Sequence, residues 1–369
     1  MDFEFTDDQL ALREAARAVV GAACPPSLVR AVHEGAGDAG ALWRTLVEHD
    51  WPAVGLPEDV DGLGLGYLEV GILVEELGRV AAPSPYLATV TQLVPAFREA
   101  GATSLLGDVA SGAVTGSLAL AEDGRWELDA VATTARRQGS SWILDGVKTH
   151  VVDAATATEL AVVARDEPGL GVFVVPAAAV GCSTPQQLDP TLPASTVTLQ
   201  GVPVEGDRVL IEPGDPRAEP ALARVLEEAT TAVALSTVAT SRAIFETTLQ
   251  YAKDREQFGR PIGSFQAIKH RLAECYLAVE RASALAYFAA LTIAEDDGRR
   301  ATATAMAKAA AGECSLLLTR DGLQLHGGVG FTWEHDLHFL LKRNMAGNLL
   351  FGTAATHRAR LASLMGLVA

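Results

Sequence analysis

Between two long runs of helical periodicity the chain reads Tyr251-Ala-Lys-Asp-Arg-Glu-Gln-Phe-Gly-Arg-Pro-Ile-Gly-Ser-Phe-Gln266. Arg255 brings a planar fork of five donors suited to phosphate, and Phe258 brings a flat apolar face. The alternative is an arginine on a solvated helix end with Phe258 as a packing anchor. A second stretch, Gln324-Leu-His-Gly-Gly-Val-Gly-Phe331, closes a later helix with three glycines in four positions. Such glycines let a ligand approach the backbone, or cap the helix and turn the chain.

Around these stretches the carboxy-terminal part is helical. Ile268, Leu272, Cys275 and Val279 share one periodicity, and Leu316, Leu317, Leu323 and Leu325 another. Alanine-rich helices with only 6% aromatic residues predict a closely packed bundle over 213–369. The preceding segment Glu212–Pro220 carries three prolines and a glycine and reads as a linker.

Upstream, 116–212 alternates short β-rich runs with turn residues: Ser117–Leu120, Ala130–Ala135, Ser141–Leu144, Leu160–Ala164, Val172–Val175 and Thr196–Leu199. Asp145-Gly146 is a hairpin signal, and a small antiparallel sandwich or barrel is expected. Residues 1–115 read as helical, opening at Thr6, whose hydroxyl can cap a helix with Asp7 and Asp8 in its first turn. The loop Asp61-Gly-Leu-Gly-Leu-Gly66 lacks a preceding strand and the GxGxxG spacing, so it reads as a loop-to-helix turn rather than a dinucleotide site. The expected class is α+β: an N-terminal helical domain, a central antiparallel β domain and a C-terminal helical bundle.

The 369 residues hold 29 Lys and Arg against 46 Asp and Glu, a formal charge of −17. Phosphate backbones and anionic lipid repel such a surface, so neither nucleic acid nor membrane is an expected partner. With 49% apolar residues the chain has ample material for large cores and is not a disordered or fibrous sequence. Cys24, Cys182, Cys275 and Cys314 follow no metal-like or CxxC spacing, so they are expected to be buried structural thiols in a reducing compartment. The acidic start MDFEFTDDQL does not fit a secretory signal, and the near-apolar run Ala284–Ala294 is short for a bilayer, so a cytoplasmic protein is expected.

In this order, the acidic start, GLPEDVDGLGLGYLEVGILVEELGR, WILDGVKTHV, YAKDREQFGRPIGSFQAIKHRLAE and QLHGGVGF resemble the flavin-dependent acyl-CoA dehydrogenase family over nearly the whole chain. In that family FAD lies across a subunit interface. The neighbour of the ring-holding subunit supplies an RxxFG and a QxxGG motif to the diphosphate and adenine. The resemblance therefore implies that Arg255, Phe258, Gln266, Gln324, Gly327 and Gly328 contact a neighbour's FAD, and that Thr353 also belongs to the cofactor set. It further implies an acyl-CoA substrate and electron-transfer flavoprotein as the electron acceptor.

Two parts of the family pattern are missing. The TEPxxGSD-like flavin segment is replaced by Ala121-Glu-Asp-Gly-Arg-Trp-Glu-Leu-Asp129, and the K-x-W-I-T segment by Lys148-Thr-His-Val-Val152, so His150 and Val152 stand where Trp and Thr contact the flavin. His150 reads as a sheet-surface or pocket histidine without a catalytic task. The glutamate base that precedes Gly-Thr near the C-terminus is replaced by Phe351, which cannot accept a proton. In relatives with the base on an earlier helix, the matching position is Ala229. Glu228 is then one residue out of register, about 100° around the helix, and reads as an exposed acid at a helix start.

These losses resemble the base-lacking subunit of bacterial steroid side-chain acyl-CoA dehydrogenases, α2β2 heterotetramers with half the usual number of flavins. A homologous partner subunit is therefore expected to supply the base. The alternatives are a self-sufficient homo-oligomer using a non-standard base, Glu228 included, and a non-redox acyl-CoA-binding or regulatory member.

Overall fold

The computed structural model describes residues 4–367. The chain forms two compact units. One comprises the described part of Met1–Ala39, Tyr67–Pro83 and the described part of Thr230–Ala369; the other comprises Gly40–Gly66 and Ser84–Ala229.

The second unit carries an eight-stranded sheet: β1 (Gly116–Ala119), β2 (Thr134–Gln138), β3 (Ser141–Val152), β4 (Glu159–Asp166), β5 (Gly169–Pro176), β6 (Gly181–Ser183), β7 (Ala194–Val204) and β8 (Val209–Ile211). Its main path runs β6-β7-β3-β2-β4-β5-β8, with β1 beside β4. The sheet is mixed rather than antiparallel, because β1 and β2 both pair with β4 in parallel. The chain enters β1 from a helical segment ending at Ala110 and meets β4 only after β2 and β3, a crossover instead of a hairpin. Trp142, Leu144, Leu160, Val162, Phe173, Val175 and Val197 fill the core of this unit, each worth roughly 1.5–3 kcal/mol of burial for a side chain of this size.

Asp145-Gly146 does not turn a hairpin. It lies inside β3 at a register shift, where a Cβ on Gly146 would sit 2.5 Å from Thr133 Oγ1; the glycine serves close packing. The β2–β3 turn is Gly139-Ser140. A different Asp-Gly pair, Asp123-Gly124, makes the tight two-residue turn: both have positive φ, and Glu122 and Arg125 exchange backbone hydrogen bonds across it.

The first unit is helical. Thr6 Oγ1 accepts from Gln9 N at 3.2 Å and Gln9 Oε1 accepts from Thr6 N at 3.1 Å, a complete capping box for the helix Asp7–Ala23. Tyr67–Arg79 passes so close to Ala218–Asp254 that a Cβ on Gly78 would lie 2.7 Å from Ser236 O. Buried Thr237, Thr240 and Thr248 return their hydroxyls to carbonyls one turn back, which satisfies polar groups inside the bundle. Pro220 stands in the first turn of Ala218–Asp254, where no amide hydrogen bond is lost.

The near-apolar run Ala284–Ala294 belongs to the longer helix Gln266–Ala294, which is long and apolar enough to cross a membrane by composition, with half of its most apolar window buried. Cys24, Cys275 and Cys314 are buried, but Cys182 is exposed, since β6 is a three-residue edge strand.

Candidate cofactor and active site

The RxxFG stretch is a miniature hairpin. Glu256–Gln257 pairs with Arg260–Pro261, leaving Phe258-Gly259 as a two-residue turn with φ of 55° and 76°. Two successive positive φ values define a type I′ turn, easy for glycine and strained for phenylalanine. Phe258 is 92% exposed, so it is not a packing anchor.

The hairpin is anchored at its base. Ile262 N donates to Arg255 O at 2.8 Å, Arg260 lies 4.1 Å over the Phe265 ring, and Phe265 meets Phe258 edge-on at 6.1 Å. Tyr251 stacks on His326 at 4.4 Å, joining the end of Ala218–Asp254 to the end of Arg300–His326. Arg271 reaches Asp321 at 3.2 Å and adds the start of Gln266–Ala294 to the same assembly. Burial lowers the His326 pKa, opposed by the hydrogen bond to the Gly322 carbonyl.

These contacts bring Arg255, Phe258, Gln266, Gln324, Gly327 and Gly328 to neighbouring helix ends, all of them exposed. A Cβ built on Gly327 or Gly328 meets nothing within 4 Å. Open backbone, an exposed guanidinium and a flat ring form a set that fits the diphosphate and adenine of FAD.

Thr353 is not part of this cluster. It caps the helix Ala354–Leu364, accepting from Thr356 N at 3.3 Å. Its turn is fastened to Lys308, sixteen residues before Gln324 on one helix, about 24 Å away at 1.5 Å rise per residue. Phe351 is buried there at φ 58°.

The two segments that the resemblance places at the flavin ring, 121–129 and 148–152, are joined by an ion pair. Lys148 is fully buried, with Nζ 2.6 Å from Glu122 Oε1 and 3.2 Å from Leu120 O. Burial pushes Lys148 down to about 8 even with Glu122 beside it. Burial would raise Glu122, but the Lys148 ammonium and the Thr133 amide outweigh it and hold the carboxyl below its ordinary range. His150 sits on a bulge of β3 at φ 54°, exposed, with the Trp126 ring 6.3 Å away. Val152 is buried and offers no hydrogen bond to a flavin edge. These residues do not fit an isoalloxazine ring as well as the hairpin fits the other half of the cofactor.

Glu228 is not an exposed acid at a helix start. It is 2% exposed and lies ten residues into Ala218–Asp254. Arg98 Nη2 approaches its Oε1 at 2.5 Å and Arg224 Nε at 3.1 Å. The sequence offered no sign of Arg98, which arrives from the separate helix Val94–Glu99.

The family models for the N-terminal and C-terminal domains of acyl-CoA dehydrogenases match residues 6–105 and 221–365. The chain belongs to the acyl-CoA dehydrogenase family. Among the relatives of this acyl-CoA dehydrogenase chain is the acyl-CoA dehydrogenase IpdE2 of Mycobacterium tuberculosis, 29% identical over 342 residues and covering 91% of both proteins. Among solved structures, the Tcur3481-Tcur3483 steroid acyl-CoA dehydrogenase variant is 30% identical, with a TM-score of 0.87 and 98% of both chains covered. The ChsE4-ChsE5 complex from Mycobacterium tuberculosis is 27% identical, with a TM-score of 0.90 and full coverage of both chains.

Proposed function

We propose that this chain is one subunit of a heteromeric, FAD-dependent acyl-CoA dehydrogenase that lacks the usual glutamate base and contributes the Arg255–Phe258 hairpin and Gln324–Gly328 to FAD held mainly by its partner. The reaction is α,β-dehydrogenation of an acyl-CoA thioester. A carboxylate takes the α proton, and the flavin, when bound, accepts the β hydride.

Phe351 carries the reading: it occupies the turn before Gly352-Thr353 where the family places the base, and it cannot take a proton. The state of Glu228 supports the same conclusion. A general base needs a lone pair open to the substrate proton, whereas buried Glu228 turns Oε1 to two guanidinium groups. The two flavin-ring segments support it too, through Val152, His150 and the short Asp123-Gly124 turn.

The acyl class we infer is a steroid side chain, supported by the steroid dehydrogenase among the similar structures. The ChsE4-ChsE5 complex supports assembly with a homologous subunit in an α2β2 heterotetramer. Electron-transfer flavoprotein is the acceptor this chemistry calls for.

Co-expression with a family member bearing the Glu tests the reading. The complex should hold flavin and reduce it with acyl-CoA, while the chain alone should do neither.

A further inference from the structure

The turn Leu350-Phe351-Gly352-Thr353 is held from several sides. Phe351 and Gly352 take φ of 58° and 97°, so a bulky residue and a glycine share a left-handed bend. Lys308, 1% exposed on the helix Arg300–His326, donates from Nζ to the carbonyls of Gly347 at 3.0 Å, Asn348 at 3.0 Å and Gly352 at 2.8 Å. All three of these acceptors are backbone carbonyls.

Three acceptors match the three N–H bonds of an ammonium. Two of them, Gly347 and Asn348, lie in the last turn of Leu337–Leu349, where the negative end of the helix dipole favours a cation. On the far side of the turn, His357 Nε2 donates to Phe351 O at 2.8 Å. Burial pushes His357 down to about 4, so this ring is neutral. Burial also pushes Lys308 down to about 7, while three carbonyl acceptors favour the ammonium, the form that has three donors.

None of these bonds involves the Phe351 side chain. The device holds backbone, and it is intact in a chain whose residue 351 can do no acid–base chemistry.

We propose that Lys308 is the positioning residue of this turn: its ammonium clamps the end of Leu337–Leu349 to the start of Ala354–Leu364, and so fixes both the direction of the side chain at 351 and the place of Thr353. The consequence for the cofactor rests on the FAD-binding function proposed above together with the family resemblance, which places Thr353 in the cofactor set apart from the hairpin cluster. The clamp itself does not depend on that reading.

The test is amide hydrogen exchange on the full-length chain carrying Lys308→Met, with Lys308→Gln as a variant that keeps two donors. Exchange over 350–357 should accelerate by about tenfold or more in Lys308→Met, the scale of losing one or more net hydrogen bonds. Lys308→Gln should fall between it and the parent, with helix Tyr67–Arg79 unchanged. Equal acceleration across the whole unit, or none at the turn, overturns the proposal. If Lys308→Met does not fold, Lys308→Gln carries the same comparison.

In the co-expressed complex, Lys308→Met should also weaken FAD binding by about tenfold, one hydrogen bond's worth. A loosened turn with unchanged FAD affinity would leave the clamp standing and remove Thr353 from the cofactor site. A parent complex that holds no FAD at all would overturn the functional reading while the exchange result still decides the clamp.

Discussion

Arg98 Nη2 lies 2.5 Å from Glu228 Oε1, and the carboxylate it holds is buried while the guanidinium is about a third exposed, at 35%. Glu99 and Glu228 share this arginine, and Arg224 adds a second cation to Glu228. Burial works against the Arg98 charge, but the Glu228 and Glu99 carboxylates outweigh it and keep its pKa above the ordinary value.

Glu228→Gln is therefore expected to act on stability rather than on catalysis. Removing the anion leaves two arginines partly buried without it, and a loss of roughly 2 kcal/mol is expected, at the low end for a broken buried pair because Arg98 is part-exposed. Urea unfolding measures the loss. Turnover per flavin in the complex should stay within about twofold of the parent, and its abolition would mark Glu228 as the base.

The Lys148–Glu122 pair should shape the pH dependence of folding. Glu122 is held below its unfolded value, so its contribution is full above roughly pH 4–5 and is lost as the pH falls through the lower folded value. Lys148 sits near 8 when folded, below the unfolded value of roughly 10.4, so stability should rise with pH between these limits. Glu122→Gln should flatten the acid limb and cost roughly 2–4 kcal/mol, because Lys148 is fully buried. Acid limbs of equal slope in parent and variant would remove the pair from this role.

Gly352 is at φ 97°, and an added Cβ would stand 3.3 Å from both His357 Nε2 and Thr356 Cγ2. Gly352→Ala should destabilise the chain by roughly 1–3 kcal/mol through backbone strain and crowding, read as a drop in the denaturation midpoint at unchanged slope.

Phe258 touches little of its own chain. Phe258→Ala should leave the stability of the isolated chain within about 0.5 kcal/mol, as for other surface changes, or raise it slightly by relieving strain. The same change should lower FAD affinity in the complex by about tenfold, the scale of a lost aromatic contact. An unaltered affinity would exclude the hairpin from the cofactor interface.

Much of the fold was legible because its signals are local. Thr6 and Gln9 make a capping box readable from four residues, and the apolar spacing along Gln266–Ala294 announces its helix. Signals that depend on distant partners were not legible. The parallel pairing of β1 with β4 and the burial of Glu228 by Arg98 arise between segments far apart in the chain, and the packing of Gly146 against Thr133 arises between β3 and the residue before the neighbouring β2. The cofactor motifs could be picked out by residue type, but only the structure shows that Phe258 is strained and exposed. The Lys308 clamp was invisible, since its acceptors are backbone carbonyls and no side-chain pattern encodes them.

In the function we propose, this chain completes a partner's flavin site and supplies no base of its own. Anaerobic titration with acyl-CoA, following flavin absorbance, tests it most directly on the chain purified alone and on its complex with a Glu-bearing family member. No bound flavin and no bleaching are expected for the chain alone, and one reducible flavin per heterodimer for the complex. Full flavin occupancy with substrate bleaching by the chain alone would contradict it.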